Sequence, residues 1–178
     1  MVAMDKHNKQ SYLKTKNGKI VLGVVSAVVV ILTAIGVWFF MKNSPSKAIK
    51  NLDSNLVSKW DAVYTDAITK ANNENSADKK AAALKKVVKT LRTYYNKDMD
   101  YLTNEEKNKK PEDATKKTAY EEAQKAAKTV KDALDEADKE VTGQDDAAVT
   151  SLNNALAKVT KDICQKVVTQ SKIAYGLE

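Results

Sequence analysis

The chain has 178 residues and a formal net charge of +7, with 43% hydrophobic, 6% aromatic and 30% charged side chains. Five glycines and two prolines are too few for the turns of a β-rich fold, whereas abundant Ala, Lys, Asp and Glu favour long helices. A single cysteine, Cys164, excludes an intrachain disulfide, and a single histidine, His7, excludes any cluster built on two histidines.

Residues 1–19 form a short basic tail containing Lys6, Lys9, Lys14, Lys16 and Lys19. Residues 20–41, IVLGVVSAVVVILTAIGVWFFM, carry no charge over 22 positions and are bounded by Lys19 and Lys42. As a helix this stretch would be roughly 33 Å long, close to the roughly 30 Å hydrocarbon core of a bilayer. Trp38, Phe39 and Phe40 stand at one end, where aromatic side chains meet headgroups. The stretch is longer than the apolar region of a signal peptide, and the nearest small pair, Ser44 and Ser46, brackets a proline and follows Lys42, so an uncleaved signal-anchor is expected. The lysines ahead of it place the N-terminus in the cytoplasm and the rest of the chain outside the cell membrane.

Residues 42–45 read as a linker, with Ser44 a helix cap and Pro45 in a first turn. Residues 46–176 then predict four amphipathic helices. The first, about 46–72, carries Ile49, Leu52, Leu56, Trp60, Val63, Ala67 and Ala71 at intervals of three and four, which keeps one apolar stripe aligned. The polar run at residues 72–76 predicts a turn, with Ser76 capping the next helix.

The second helix, about 77–103, has the stripe Ala81, Leu84, Val88, Leu91, Tyr95 and Leu102, interrupted by Asp98. The third, about 111–142, runs from Pro111 to a stop at Gly143, with an Ala-rich stripe from Ala119 to Ala137. Glu121–Lys125 and Asp135–Lys139 are expected i,i+4 ion pairs. The fourth, about 146–175, begins at an Asp145 or Asp146 cap, carries Val149, Leu152, Leu156, Val159, Ile163 and Val167, and ends at Gly176. Four apolar faces joined by short connections predict an all-α fold: a single N-terminal transmembrane helix followed by an antiparallel up-down-up-down four-helix bundle. The second helix carries seven basic against three acidic residues and the third six against nine, so these two are expected to be neighbours.

No pattern predicts catalysis, a cofactor or a metal. There is no Glu-x-x-His element, no Gly-rich phosphate loop and no Cys-x-x-Cys. Cys164 lies at the edge of the fourth stripe, where cysteine packs as a small hydrophobe. Glu121/Glu122 and Asp145/Asp146 are adjacent pairs that do not face each other on a helix, and read as a solvated face and a cap. The most basic surface, Lys79, Lys80, Lys85, Lys86, Lys89 and Arg92 beside Tyr94, Tyr95 and Tyr101, could meet an anionic polymer or lipid headgroups, although an ordinary lysine-rich face explains it as well. With Arg92 the only arginine, no nucleic-acid partner is expected.

The expected function is therefore non-catalytic: a membrane-tethered bundle that binds a protein partner or its own copies. The alternative is an extracytoplasmic sensor holding a ligand between helices. Its four-helix layout is similar to that of chemoreceptor periplasmic domains, a likeness of layout alone. The sequence offers no second apolar span, and the 19-residue tail is short for a signalling domain.

Overall fold

The computed structural model describes residues 44–139 and 142–177. The chain divides into two units, residues 1–43 and 44–178. The basic tail, the expected span at 20–41, Lys42 and Asn43 all lie outside the described residues, as does His7. Among the described residues every regular element is helical, and no helix is long and apolar enough to cross a membrane.

The described residues form five helices. Helix α1 covers residues 45–72 and α2 residues 77–103, followed by α3 (Ala114–Asp138), α4 (Asp146–Ala157) and α5 (Lys161–Tyr175). Helix α1 begins as its sequence suggests. The Ser44 side chain accepts the Lys47 N–H at 3.3 Å, and Pro45 sits in the first turn, where its missing N–H costs nothing. Both α1 and α2 contain wider, π-helical turns, at Leu52–Val57 and Asp61–Thr65 in α1 and at Tyr95–Met99 in α2. There the backbone bonds i to i+5, as when the Ser58 N–H reaches the Asp53 carbonyl at 2.8 Å.

Helix α3 starts later than Pro111. Asp113 caps it by accepting the Lys116 N–H at 3.0 Å, and Pro111 belongs to the preceding loop. Its last helical residue is Asp138, five positions ahead of Gly143.

The expected fourth helix is two helices. The apolar stripe runs unbroken from Val149 to Val167, but the backbone leaves the helix at Lys158–Thr160 and starts again. Lys158 and Val159 close α4 with tighter i to i−3 bonds. The carbonyl of Leu156, which loses its regular helical partner, accepts from Val159 N–H at 2.9 Å and from the Tyr64 hydroxyl of α1. Thr160 then caps α5 through the Ile163 N–H at 3.3 Å. Val159 and Cys164 occupy the positions of a hydrophobic staple on either side of that cap, and both are buried. Helix α5 ends on Gly176 at φ +63°, with Leu177 N–H bonded back to the Lys172 carbonyl at 2.9 Å. A left-handed residue at this position favours glycine.

All five helices share one core. Helix α3 packs along α5, α2 packs against the end of α1 and against α4, and the first half of α1 lies on α5. Leu52, Leu56, Leu84, Leu102, Leu134 and Leu152 are fully buried. Helix α3 contributes mainly alanines to the core, among them Ala123, Ala126, Ala127 and Ala133, and short side chains let its neighbours approach closely. Asn72 and Asn153 tie α1 to α4 by exchanging amide hydrogen bonds of 3.1 and 2.9 Å.

Candidate functional site

Polar groups concentrate at three places in the domain. The first is buried. Asp98, the residue that interrupts the α2 stripe, is 3% exposed and lies in the π-helical turn of that helix. Its carboxylate accepts from the Asn51 side-chain amide at the edge of the first wide turn of α1. The Asn51 side-chain carbonyl accepts from Asn55 at 2.6 Å, and the Asn55 backbone carbonyl accepts from the Tyr94 hydroxyl at 3.1 Å. Asp53, in the same turn of α1, pairs with Lys172 of α5 at 2.9 Å. This polar chain joins the first wide turn of α1 to α2, and Asp53 separately ties the same turn to α5.

Burial raises the Asp98 carboxyl above its ordinary range, while the Asn51 bond and the Lys97 charge oppose that shift and are outweighed. The sign of the linked stability follows. An acid whose folded-state value is raised favours the fold most when protonated, so its contribution is present below about pH 4 and is lost as pH rises through the raised value. Relative to Asp98→Asn, the native protein should therefore gain stability on going from pH 7 to pH 4.5. Urea unfolding of both proteins at the two pH values measures this, and parallel profiles would remove Asp98 as a titrating group.

The second place is the interface of α2 with α3. Arg92 forms a fork onto Asp135 at 2.9 Å and onto Asp138, the adjacency that the opposite charges of these helices suggest. The expected i,i+4 pairs are replaced by other partners. Glu121 pairs with Lys110 at 3.0 Å instead of Lys125, and Asp135 pairs with Arg92 and Lys131 instead of Lys139. The Lys131 hydrogen bond, more than Arg92, holds the Asp135 carboxyl below the ordinary range. An open groove of about 680 Å³ lies between the end of α2 and α3, lined by residues that include Tyr95, Asp100, Glu105, Gln124, Lys125 and Lys128. Its mixed charge and openness differ from the enclosed, mostly apolar cavities that hold small molecules.

The third place is the outer face of α2. The tyrosines that flank the basic run in the sequence do not share that face. Tyr94 bonds to Asn55 of α1, Tyr95 is buried, and Tyr101 is half-buried. Tyr175 donates to the Leu102 carbonyl at 2.6 Å and meets Tyr120 edge-on, with ring centres 6.4 Å apart.

Cys164 is buried in the core, and desolvation pushes its thiol up to about 12, far from the thiolate that nucleophilic or redox work requires. Asp145 caps α4 by accepting the Ala148 N–H at 2.9 Å, and Glu122 pairs with Lys166 of α5 at 3.1 Å. Glu121 and Glu122 thus serve different partners. Among the described residues, no three His, Cys, Asp or Glu side chains converge as a metal site requires. The Asp98 chain, with partners 47 residues apart, was visible in the sequence only as an interrupted stripe. Comparison with known proteins finds no match: no family model, no curated protein and no solved structure is similar to this chain.

Proposed function

We propose that this chain is a non-catalytic interaction protein, held in the cell membrane by residues 20–41 and presenting its helical domain outside the cytoplasm to a protein partner or to copies of itself. In this reading the fold is a single N-terminal transmembrane helix followed by an antiparallel up-down-up-down four-helix bundle. Helices α4 and α5 together make its fourth, broken arm. The observation that carries the proposal is the uncharged 22-residue stretch placed ahead of a separate helical unit. Supporting it, the polar side chains of that unit join helix to helix: Asn51 to Asp98, Asn72 to Asn153, Arg92 to Asp135 and Lys172 to Asp53. Such bonds fix a surface for recognition. The alternative, a sensor with a ligand between its helices, has less support, because the groove between α2 and α3 is open and lined by charge.

In-cell crosslinking of the full chain tests the proposal. A discrete adduct, either a dimer or one recurrent protein partner, is the expected product. Protease added to intact cells should cut within residues 44–178 under conditions that leave a cytoplasmic control whole. A chain that stays intact while a known surface protein is cleaved would reverse the orientation, and crosslinking that yields no adduct would count against the interaction reading.

A further inference from the structure

At the joint between α4 and α5 the backbone departs from what the side chains favour. Residues 146–175 contain neither glycine nor proline. Val149, Leu152, Leu156, Val159, Ile163 and Val167 recur three or four apart across the joint, as on a single helix about 45 Å long. The departure is short. Lys158 is still right-handed helical at φ −75° and ψ −18°, whereas Thr160 is extended at φ −112° and ψ 158°.

The backbone groups of the joint can be satisfied in two ways. In the bent form the Val159 N–H and the Tyr64 hydroxyl bond to the Leu156 carbonyl, and the Thr160 side chain accepts the Ile163 N–H. In a continuous helix the Leu156 carbonyl takes the Thr160 N–H, Val159 N–H turns to Ala155, and Ile163 N–H turns to Val159. A segment with two complete sets of bonds suits a switch between discrete arrangements.

Straightening the joint carries α5 off the surface it covers, and that surface fits α5 closely. Helix α5 packs along α3 and on the first half of α1, with Val167 and Val168 fully buried. Lys166 pairs with Glu122 of α3 at 3.1 Å, Lys172 pairs with Asp53 of α1 at 2.9 Å, and Tyr175 bonds the Leu102 carbonyl of α2 at 2.6 Å. These contacts fix the direction and register of the helix in the slot, and α5 of another copy meets all of them.

We propose that α5 exchanges between two copies of the chain: the joint straightens in each, and each α5 fills the slot that the other has left. Exchange of an identical element is a low-cost route to a dimer, because the contacts in each slot are native ones and the short hinge alone changes. Resting on the self-association branch of the function proposed above, this exchange names the partner as a second copy and does not need the anchor.

The test uses the full chain in neutral detergent micelles, carrying Cys164→Ala, Glu122→Cys and Lys166→Cys, unfolded in urea and refolded either dilute or concentrated. Positions 122 and 166 face each other across α3 and α5 and are half-exposed, so a short bis-maleimide links them. Concentrated refolding should give a dimer, slow to dissociate on dilution, whose linked chains run at dimer size on a denaturing gel. Chains refolded dilute should link within themselves and run as monomers. Lys161→Pro closes the route through the joint. Proline fits the first position of α5 behind an extended Thr160, whereas in a continuous helix it loses the bond to the Ala157 carbonyl and clashes with it. Two joints open per dimer, so this change should lower the ratio of dimer to squared monomer by at least about a hundredfold. Thr160→Ala removes the cap from the bent form alone and should raise that ratio by roughly tenfold. Circular dichroism checks that Lys161→Pro folds, and the linkage pattern decides without it. A dimer linked only within its chains would overturn the exchange while leaving self-association standing. A chain that stays monomeric however concentrated its refolding, or a dimer that a folded Lys161→Pro chain forms undiminished, would overturn the exchange as well.

Discussion

Leu84→Ala lowers the stability of the helical domain by about 3 kcal/mol, within a range of about 2–5, and its melting temperature by roughly 10 °C. Leu84 is fully buried in the core shared by the five helices, on the face of α2 that carries Ala81, Val88 and Leu91. It lies in the regular part of α2, ahead of the wide turn at Tyr95–Met99. Alanine is at least as good a helix former as leucine, so the backbone gains or loses almost nothing and the loss measured is packing. The magnitude follows from the packing of the core. Leu84 is 0% exposed, and a close-packed interior relaxes only partly into the space that a deleted side chain leaves. Urea or thermal unfolding of the full chain in detergent, followed by circular dichroism, measures the loss. Lys89→Ala, on the exposed side of the same helix, should change stability by no more than about 0.5 kcal/mol. A Leu84→Ala cost below about 1 kcal/mol would mean that α2 does not pack as described.

The helical class was legible because apolar residues recur every three or four positions over long stretches with almost no glycine or proline. Several ends were legible for the same local reasons. Ser44 beside Pro45, Asp145 ahead of α4 and Gly176 after α5 each satisfy backbone groups within a few residues of themselves. The interruption at Lys158–Thr160 was not legible, because the apolar stripe passes through it and neither glycine nor proline marks it. A Thr cap flanked by Val159 and Cys164 was the one local sign. The feature that completes the break, the Tyr64 hydroxyl on the Leu156 carbonyl, comes from 92 residues away.

Pairings failed in the same way. Glu121 and Asp135 have lysines four residues on, but Lys110 reaches Glu121 from the preceding loop, and Asp135 pairs with Lys131 one turn back and with Arg92 of α2. Periodicity in sequence reports which face of a helix is buried and is silent about which helix lies opposite. Asp98 shows both sides of that limit. Its presence in an apolar stripe was plain, whereas its partners in the wide turn of α1, and that turn itself, depend on how two helices cross.

If residues 20–41 hold the chain in the membrane as proposed, Val30→Lys with Ile31→Lys, at the middle of that stretch, should move it from the membrane pellet to the supernatant. Each lysine at the centre of a membrane helix costs about 2.5–3.5 kcal/mol on insertion scales, so the pair opposes insertion by about 5–7 kcal/mol, a factor on the order of 10⁴ in partition. Among the described residues no helix is long and apolar enough to cross a membrane, so on the proposed reading the effect should be close to complete. The helical domain begins beyond Asn43 and keeps its own core, so the released chain should retain the cooperative unfolding of that domain. Ultracentrifugation of lysates without detergent, with and without the two substitutions, gives the answer. Native chain that is already in the supernatant would refute the anchor. A doubly substituted chain that still pellets while its domain unfolds cooperatively would show that the stretch 20–41 is not what holds the protein in the pellet.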